Sequence, residues 1–128
     1  MEWSQPYPGC VSMVPVARAF VRAMVRKSPR REDAELIAAE LVVNSLRHTP
    51  SGDGGEVTVL VKVAPGRARI AVHDSGDGRQ WHPVPCIPED EDGHGRGLLI
   101  VYSLADRVGH DGDADGQTMW AELTWSDQ

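Results

Sequence analysis

The stretch from Val57 to Val72 constrains the fold of this 128-residue sequence more than any other. Val57, Val59, Val61 and Val63 alternate with Thr58, Leu60 and Lys62; Pro65-Gly66-Arg67 follows; Ala68, Ile70 and Val72 then alternate with Arg69 and Ala71. A period of two sends alternate side chains to opposite faces of a strand. Pro-Gly between two such runs is turn chemistry. The stretch therefore predicts a β-hairpin with one apolar face, and some other part of the chain has to cover that face.

Two earlier segments have the period that suits a cover. In Val14 to Lys27 the residues Ala17, Phe20, Val21, Met24 and Val25 recur at three- and four-residue spacing opposite Arg18, Arg22 and Arg26, with Ser12 placed to cap the start. Those arginines fit either a solvated face or contact with an acidic partner. Ser28-Pro29-Arg30 breaks this helix. Glu32 to His48 then predicts a second helix, acidic in its first turn and closed by Arg47-His48, which suits the helix macrodipole. Residues 1 to 10 hold two prolines and predict at best a short edge strand or an extended arm. Leu98 to Leu104 is a continuous apolar run after glycines, most simply a buried helix. Asp106 to His110 and Thr118 to Trp125 predict a closing hairpin around Asp111 to Gly116, with Met119, Ala121, Leu123 and Trp125 on one face. This order of elements predicts an α+β two-layer sandwich, three helices on one face of a mixed, mainly antiparallel sheet. The length suits a single domain over residues 1–128 with one core.

A net charge of -6 and a pI near 5.2 work against broad contact with nucleic-acid phosphates or an anionic membrane. The sequence lacks any run of about 18 apolar residues, so a cytoplasmic protein with a small-molecule or protein partner is expected. Cys10 and Cys86 are far apart beside Pro and Gly, which is neither a disulfide framework nor a zinc-ligand pair. Both read as free thiols.

Chemistry concentrates in three places. Glu40, Asn44 and His48 stand at i, i+4 and i+8 along one side of the second helix, among apolar Leu36, Ile37, Leu41 and Val43. An amide oxygen beside a carboxylate suits a magnesium and water site; taken alone, the stripe equally fits a solvated helix face. His73-Asp74-Ser75-Gly76-Asp77-Gly78 follows a strand, so Asp74 could accept from an exocyclic amine while a flat base lies over the glycines. Gly93-His94-Gly95-Arg96-Gly97 opens the Leu98 helix and supplies backbone amides for an anion. Each signal is weak by itself.

In this order, across residues 32 to 124, the three resemble the GHKL ATPase superfamily of gyrase, heat-shock chaperones, histidine kinases and mismatch-repair ATPases, the Bergerat ATP-binding fold. Glu40-Leu-Val-Val-Asn44-Ser-Leu-Arg-His48, Gly95-Arg96-Gly97-Leu98-Leu99-Ile100-Val101 and the Val16 to Arg22 helix look most like the single-domain anti-sigma-factor serine/threonine kinases. The resemblance implies ATP and ADP as ligands, with Mg2+ on Asn44, Glu40 as general base and Asp74 on the adenine amine. It further implies that Gly76 and Gly78 shape the base pocket and that Gly93, His94, Gly95, Arg96, Gly97 and Leu98 face the phosphates. Arg47 and His48 would lie near the phosphates, Thr118 beside the adenine-binding aspartate, and residues 79 to 92 would form a mobile lid. A sigma factor and an anti-sigma-factor antagonist are the implied partners, with a homodimer typical of the similar kinases. The glutamate at position 40 and the lack of room for a phosphoacceptor helix pair separate the chain from the histidine kinases.

Two features depart from the family pattern. Glu89-Asp90-Glu91-Asp92 lies in the lid, where it would repel triphosphate and weaken nucleotide binding, and this motivates the alternative of a non-catalytic, nucleotide-gated binding module. Arg79-Gln80-Trp81 follows the Asp74 segment where an apolar residue is common. Asp111-Gly-Asp113-Ala-Asp115-Gly116 through Glu122 also matches the calcium-loop pattern. Thr118 to Trp125 alternates as a strand, however, which favours an acidic β-turn over the helix a calcium loop needs.

Overall fold

The Val57 to Val72 alternation forms the centre of a sheet. In a computed structural model describing residues 1–48, 55–74, 96–113 and 116–126, β2 (Glu56–Ala64) and β3 (Arg67–Asp74) pair antiparallel from Val57↔Asp74 to Ala64↔Arg67. The two-residue turn between them has Gly66 at φ 74, and Pro65 in front of it supplies the fixed φ that such turns use. Val57, Val59, Val61, Ala68, Ile70 and Val72 are buried on one face, each larger side chain stabilising the fold by roughly 1.5–3 kcal/mol.

Three further strands extend this hairpin. β1 (Glu2–Pro8) pairs with β2, and β4 (Arg107–Asp113) and β5 (Gly116–Thr124) form the closing hairpin with β5 against β3, giving the order β1-β2-β3-β5-β4. Within the first ten residues, Glu2–Pro8 is thus an edge strand rather than an extended arm, with Pro6 and Pro8 on the outer strand where a missing N–H is tolerated. All four pairings are antiparallel, a narrower outcome than the mixed sheet that the order of elements allowed.

The helices cover the apolar face. α1 (Val14–Met24) follows a 3-10 turn at Val11–Met13, and α2 (Arg31–His48) packs against α1, α3 (Arg96–Leu104) and β3. Lying between two helices and the sheet, α2 buries Ala34, Ile37, Ala38, Ala39, Leu41, Val42 and Leu46, most of its circumference. Leu36 emerges on its open side, 38% exposed.

Three local expectations change. Ser12 does not cap α1: its hydroxyl donates to Cys10 Sγ at 3.4 Å, and Pro15 stands in the first turn of the helix, where its missing N–H costs nothing. Arg18 and Arg22 reach Glu35 of α2 at 3.3 and 3.4 Å, so two of the three arginines tie the helices together. α3 is not a buried helix. Val101 is fully buried, but Leu99 and Tyr102 are 68% and 60% exposed, because a helix at the side of the layer has only one face to bury.

Arg30, which the sequence marks only as a helix breaker, cross-links the layers. Its guanidinium donates to Leu104 O at 2.6 Å, Asp106 Oδ2 at 2.9 Å, Thr124 O at 3.2 Å and Asp33 Oδ2 at 3.1 Å. The Leu104 carbonyl at the negative end of α3 thereby gains a cation. Asp106 also accepts from the Thr124 N–H at 2.7 Å and from its hydroxyl at 3.0 Å. Chiefly through that N–H, with help from the hydroxyl and Arg30, its carboxyl is held below the usual carboxylate range.

Candidate functional site

The sheet and α2 converge at the C-terminal end of β3. Asp74 is the last residue of that strand and is buried, on the face turned toward the helices. Ser45 of α2, also buried, donates its hydroxyl to Asp74 Oδ2 at 2.8 Å. One residue earlier, half-buried Asn44 donates through Nδ2 to Met119 Sδ of β5 at 3.8 Å, which leaves its Oδ1 as the atom able to meet a cation. Leu41, Asn44, Ser45, Val72, Asp74 and Met119 line one cavity. Glu40, half-buried, stands one helical turn before Asn44 on the same side of α2.

His110 and Gln117 complete the wall of this cavity. Gln117 lies opposite Asp74 in the β3–β5 register, and paired residues point to the same face. His110 Nε2 donates to Gln117 Oε1 at 3.0 Å. The cavity is small, about 30 Å³. A heterocycle fills a pocket nearer ~300 Å³, so the space between these described side chains does not by itself hold one.

Thr118 is not brought to this site. It pairs with His73, one residue before Asp74, and strand parity turns both side chains to the opposite face, where Thr118 Oγ1 and His73 Nδ1 are 2.7 Å apart. The inward neighbours of Asp74 on β5 are Gln117 and Met119. Arg47 and His48 close α2, and Arg96, Gly97 and Leu98 open α3. Gly76, Gly78, Gly93, His94, Gly95 and the lid lie outside the described residues, as do the side chains of Arg47, His48 and Arg96. Ser45, Gln117 and His110 escaped the sequence reading. For Gln117 the signal was there: counting strand positions back from Met119 places it inward.

Gly116 holds this end of the sheet tightly. A Cβ at that position would collide with the Asp74 carbonyl oxygen and with the His73 ring, the latter at 2.7 Å. The β4–β5 hairpin can therefore approach β3 this closely only with glycine there. The described part of the calcium-like segment is strand: Asp111 pairs with Thr118 and Asp113 with Gly116. Glu122 is four rungs from Thr118, roughly 13 Å along the strand, beside Arg69 at 3.7 Å and Arg107 at 3.6 Å.

A family model described as histidine kinase-like ATPase domain matches residues 10–125. The chain belongs to that family. Membership makes this a nucleotide-binding domain of the GHKL type, and the cavity at Asp74 lies where α2 and the sheet meet. Among solved structures, the RsbU and RsbW domains of Rv1364c from Mycobacterium tuberculosis align with a TM-score of 0.70 at 18% identity, over 97% of this chain and 32% of that one. The histidine kinase domain of the blue-light activated histidine kinase EL346 from Erythrobacter litoralis aligns with a TM-score of 0.52 at 17% identity, over 89% of this chain and 60% of that one. The ATPase domain thus spans about a third and three-fifths of these chains, and at such identity the likeness is one of fold. A comparison with curated proteins found no match. Among the described residues no helix is long and apolar enough to cross a membrane.

Proposed function

We propose that this histidine kinase-like ATPase domain is an anti-sigma factor that uses ATP to phosphorylate a serine or threonine of an antagonist protein. The observation that carries the reading is one cavity wall shared by buried Asp74 and Asn44, with Glu40 one helical turn away on the side that Asn44 occupies. The likeness of Glu40 to His48 and Gly95 to Val101 to the anti-sigma serine/threonine kinases supports the choice of acceptor.

In this reading Asp74 accepts from the exocyclic amine of adenine while the Ser45 hydroxyl holds the carboxylate in place. Asn44 presents an amide oxygen, a hard donor of the kind magnesium takes. Among the described residues no group of three His, Cys, Asp or Glu side chains could hold a metal by itself. That fits an ion which relies on one or two protein oxygens and completes its shell with phosphate and water. When bound, Mg2+ neutralises charge on the terminal phosphates. Glu40 takes the proton of the acceptor hydroxyl as its oxygen bonds to the γ-phosphorus, the bond to the β-phosphate oxygen breaks, and ADP leaves. Gly76, Gly78, Gly93, His94, Gly95, Arg96, Gly97 and Leu98 border the base and the phosphates in this proposal, as do Arg47 and His48. A sigma factor is the partner sequestered in alternation with the antagonist, by a homodimer in the manner of the similar kinases.

The test is incubation with labelled ATP and candidate antagonists. Glu40→Ala should lower transfer by about 10²- to 10⁴-fold and retain nucleotide affinity. Transfer that survives Glu40→Ala would overturn the catalytic assignment. A wild-type protein that binds ATP but labels no antagonist would favour the non-catalytic module. No thermal shift with any adenosine nucleotide and divalent cation would remove both.

A further inference from the structure

A cavity far larger than the one at Asp74 stands elsewhere among the described residues. It lies at the other end of the sheet, around the Pro65–Gly66 turn, and measures about 610 Å³, within the ~300–1,000 Å³ of small-molecule sites. β3 separates the two ends: from Arg67 to Asp74 is seven steps, roughly 23 Å.

Its lining is aromatic and apolar. Trp3 of β1, Val63 of β2, Met24 of α1 and Trp125 just beyond β5 all border it, and all four are half-buried against the core. Two indoles and a thioether on one concave surface form an apolar floor of the sort that takes a ring or an alkyl chain. The rim has a sign. Arg26 and Lys27, both exposed, border the cavity, and no carboxylate does so among the described residues. Arg26 makes one hydrogen bond, to Ala23 O at 3.1 Å, and neither cation is in an ion pair among the described residues. In a chain of net charge -6, an apolar hollow whose charged lining among the described residues is all cationic selects for an anion.

We propose that this cavity is a second binding site, distinct from the nucleotide site, for a small amphipathic anion: one aromatic or alkyl body seated on Trp3, Met24 and Trp125, with a single carboxylate or sulfonate at Arg26 and Lys27. The charge selects the ligand and the apolar floor holds it. Occupancy would brace the end of α1 against the β2–β3 turn without touching the Asp74 cavity.

The probe pair is anilinonaphthalene sulfonate and its neutral parent, phenylnaphthylamine, titrated into the whole chain with energy transfer from tryptophan as the signal. The sulfonate should saturate at one site per chain and bind about tenfold tighter than the neutral compound, the size expected of two partly screened cations. Arg26→Gln/Lys27→Gln should erase that preference with an unchanged far-ultraviolet spectrum. Lys27→Gln alone, which breaks no contact among the described residues, should lower it about threefold. Magnesium ATP should leave the probe in place. Equal affinity for the two compounds, a preference untouched by neutralising both cations, or displacement by ATP would each overturn the proposal. The outcome is independent of whether the protein is a kinase.

Discussion

Ser45 Oγ donates to Asp74 Oδ2 at 2.8 Å, so a buried hydroxyl of α2 orients the carboxylate that ends β3. Replacing Ser45 with Ala removes that donor and leaves a buried carboxylate oxygen less well satisfied, at a stability cost of about 1–3 kcal/mol. Nucleotide affinity should fall as well, by roughly five- to tenfold, because the carboxylate loses its fixed direction. Chemical denaturation and calorimetric titration with ATP measure the two effects, and an unchanged affinity would detach Ser45 from base recognition.

Thr118 and Gln117 should separate cleanly. Thr118 faces away from the cavity and Gln117 lines it. Thr118→Val is expected to leave nucleotide affinity within about twofold, as for a surface change remote from the ligand. Gln117→Ala opens the wall and should alter affinity severalfold in either direction while releasing His110. A large loss from Thr118→Val would show that strand parity had been misjudged.

The Arg30 and Asp106 pair predicts an acid-sensitive joint. Asp106 has a folded pKa below its unfolded value of about 3.9. Its contribution is therefore complete above that value and is lost as pH falls through the lower, folded one. The melting temperature of the wild type should drop more steeply below about pH 4 than that of Asp106→Asn, which lacks the effect at every pH. Arg30→Ala abandons four acceptors at once and should cost about 2 kcal/mol at neutral pH. Parallel acid limbs for wild type and Asp106→Asn would count against the joint.

Gly116 is a position where one added carbon matters. Gly116→Ala forces a Cβ against the Asp74 carbonyl and the His73 ring. The hairpin must shift, with a loss of about 2 kcal/mol or more and weaker nucleotide binding through the displaced Asp74. A thermal melt of Gly116→Ala that matches the wild type would show that β5 has slack there.

Sequence periodicity by itself was enough for the elements and their layering. Val57 to Val72 could only be a half-buried hairpin, and the helical period of Val14 to His48 could only cover it, because side-chain direction follows from backbone geometry alone. The order of Glu40, Asn44, Asp74 and the glycine segments was also sufficient to reach the ATPase family. What local sequence could not carry was anything that depends on which elements become neighbours. Whether Leu98 to Leu104 is central or lateral in its layer, which side of β5 Thr118 takes, and that Arg30 meets Leu104, Asp106 and Thr124 are all decided by packing. The same holds for the hollow between Trp3, Met24 and Trp125: these residues lie at distant points in the chain and form one surface only once β1, α1 and β5 are assembled.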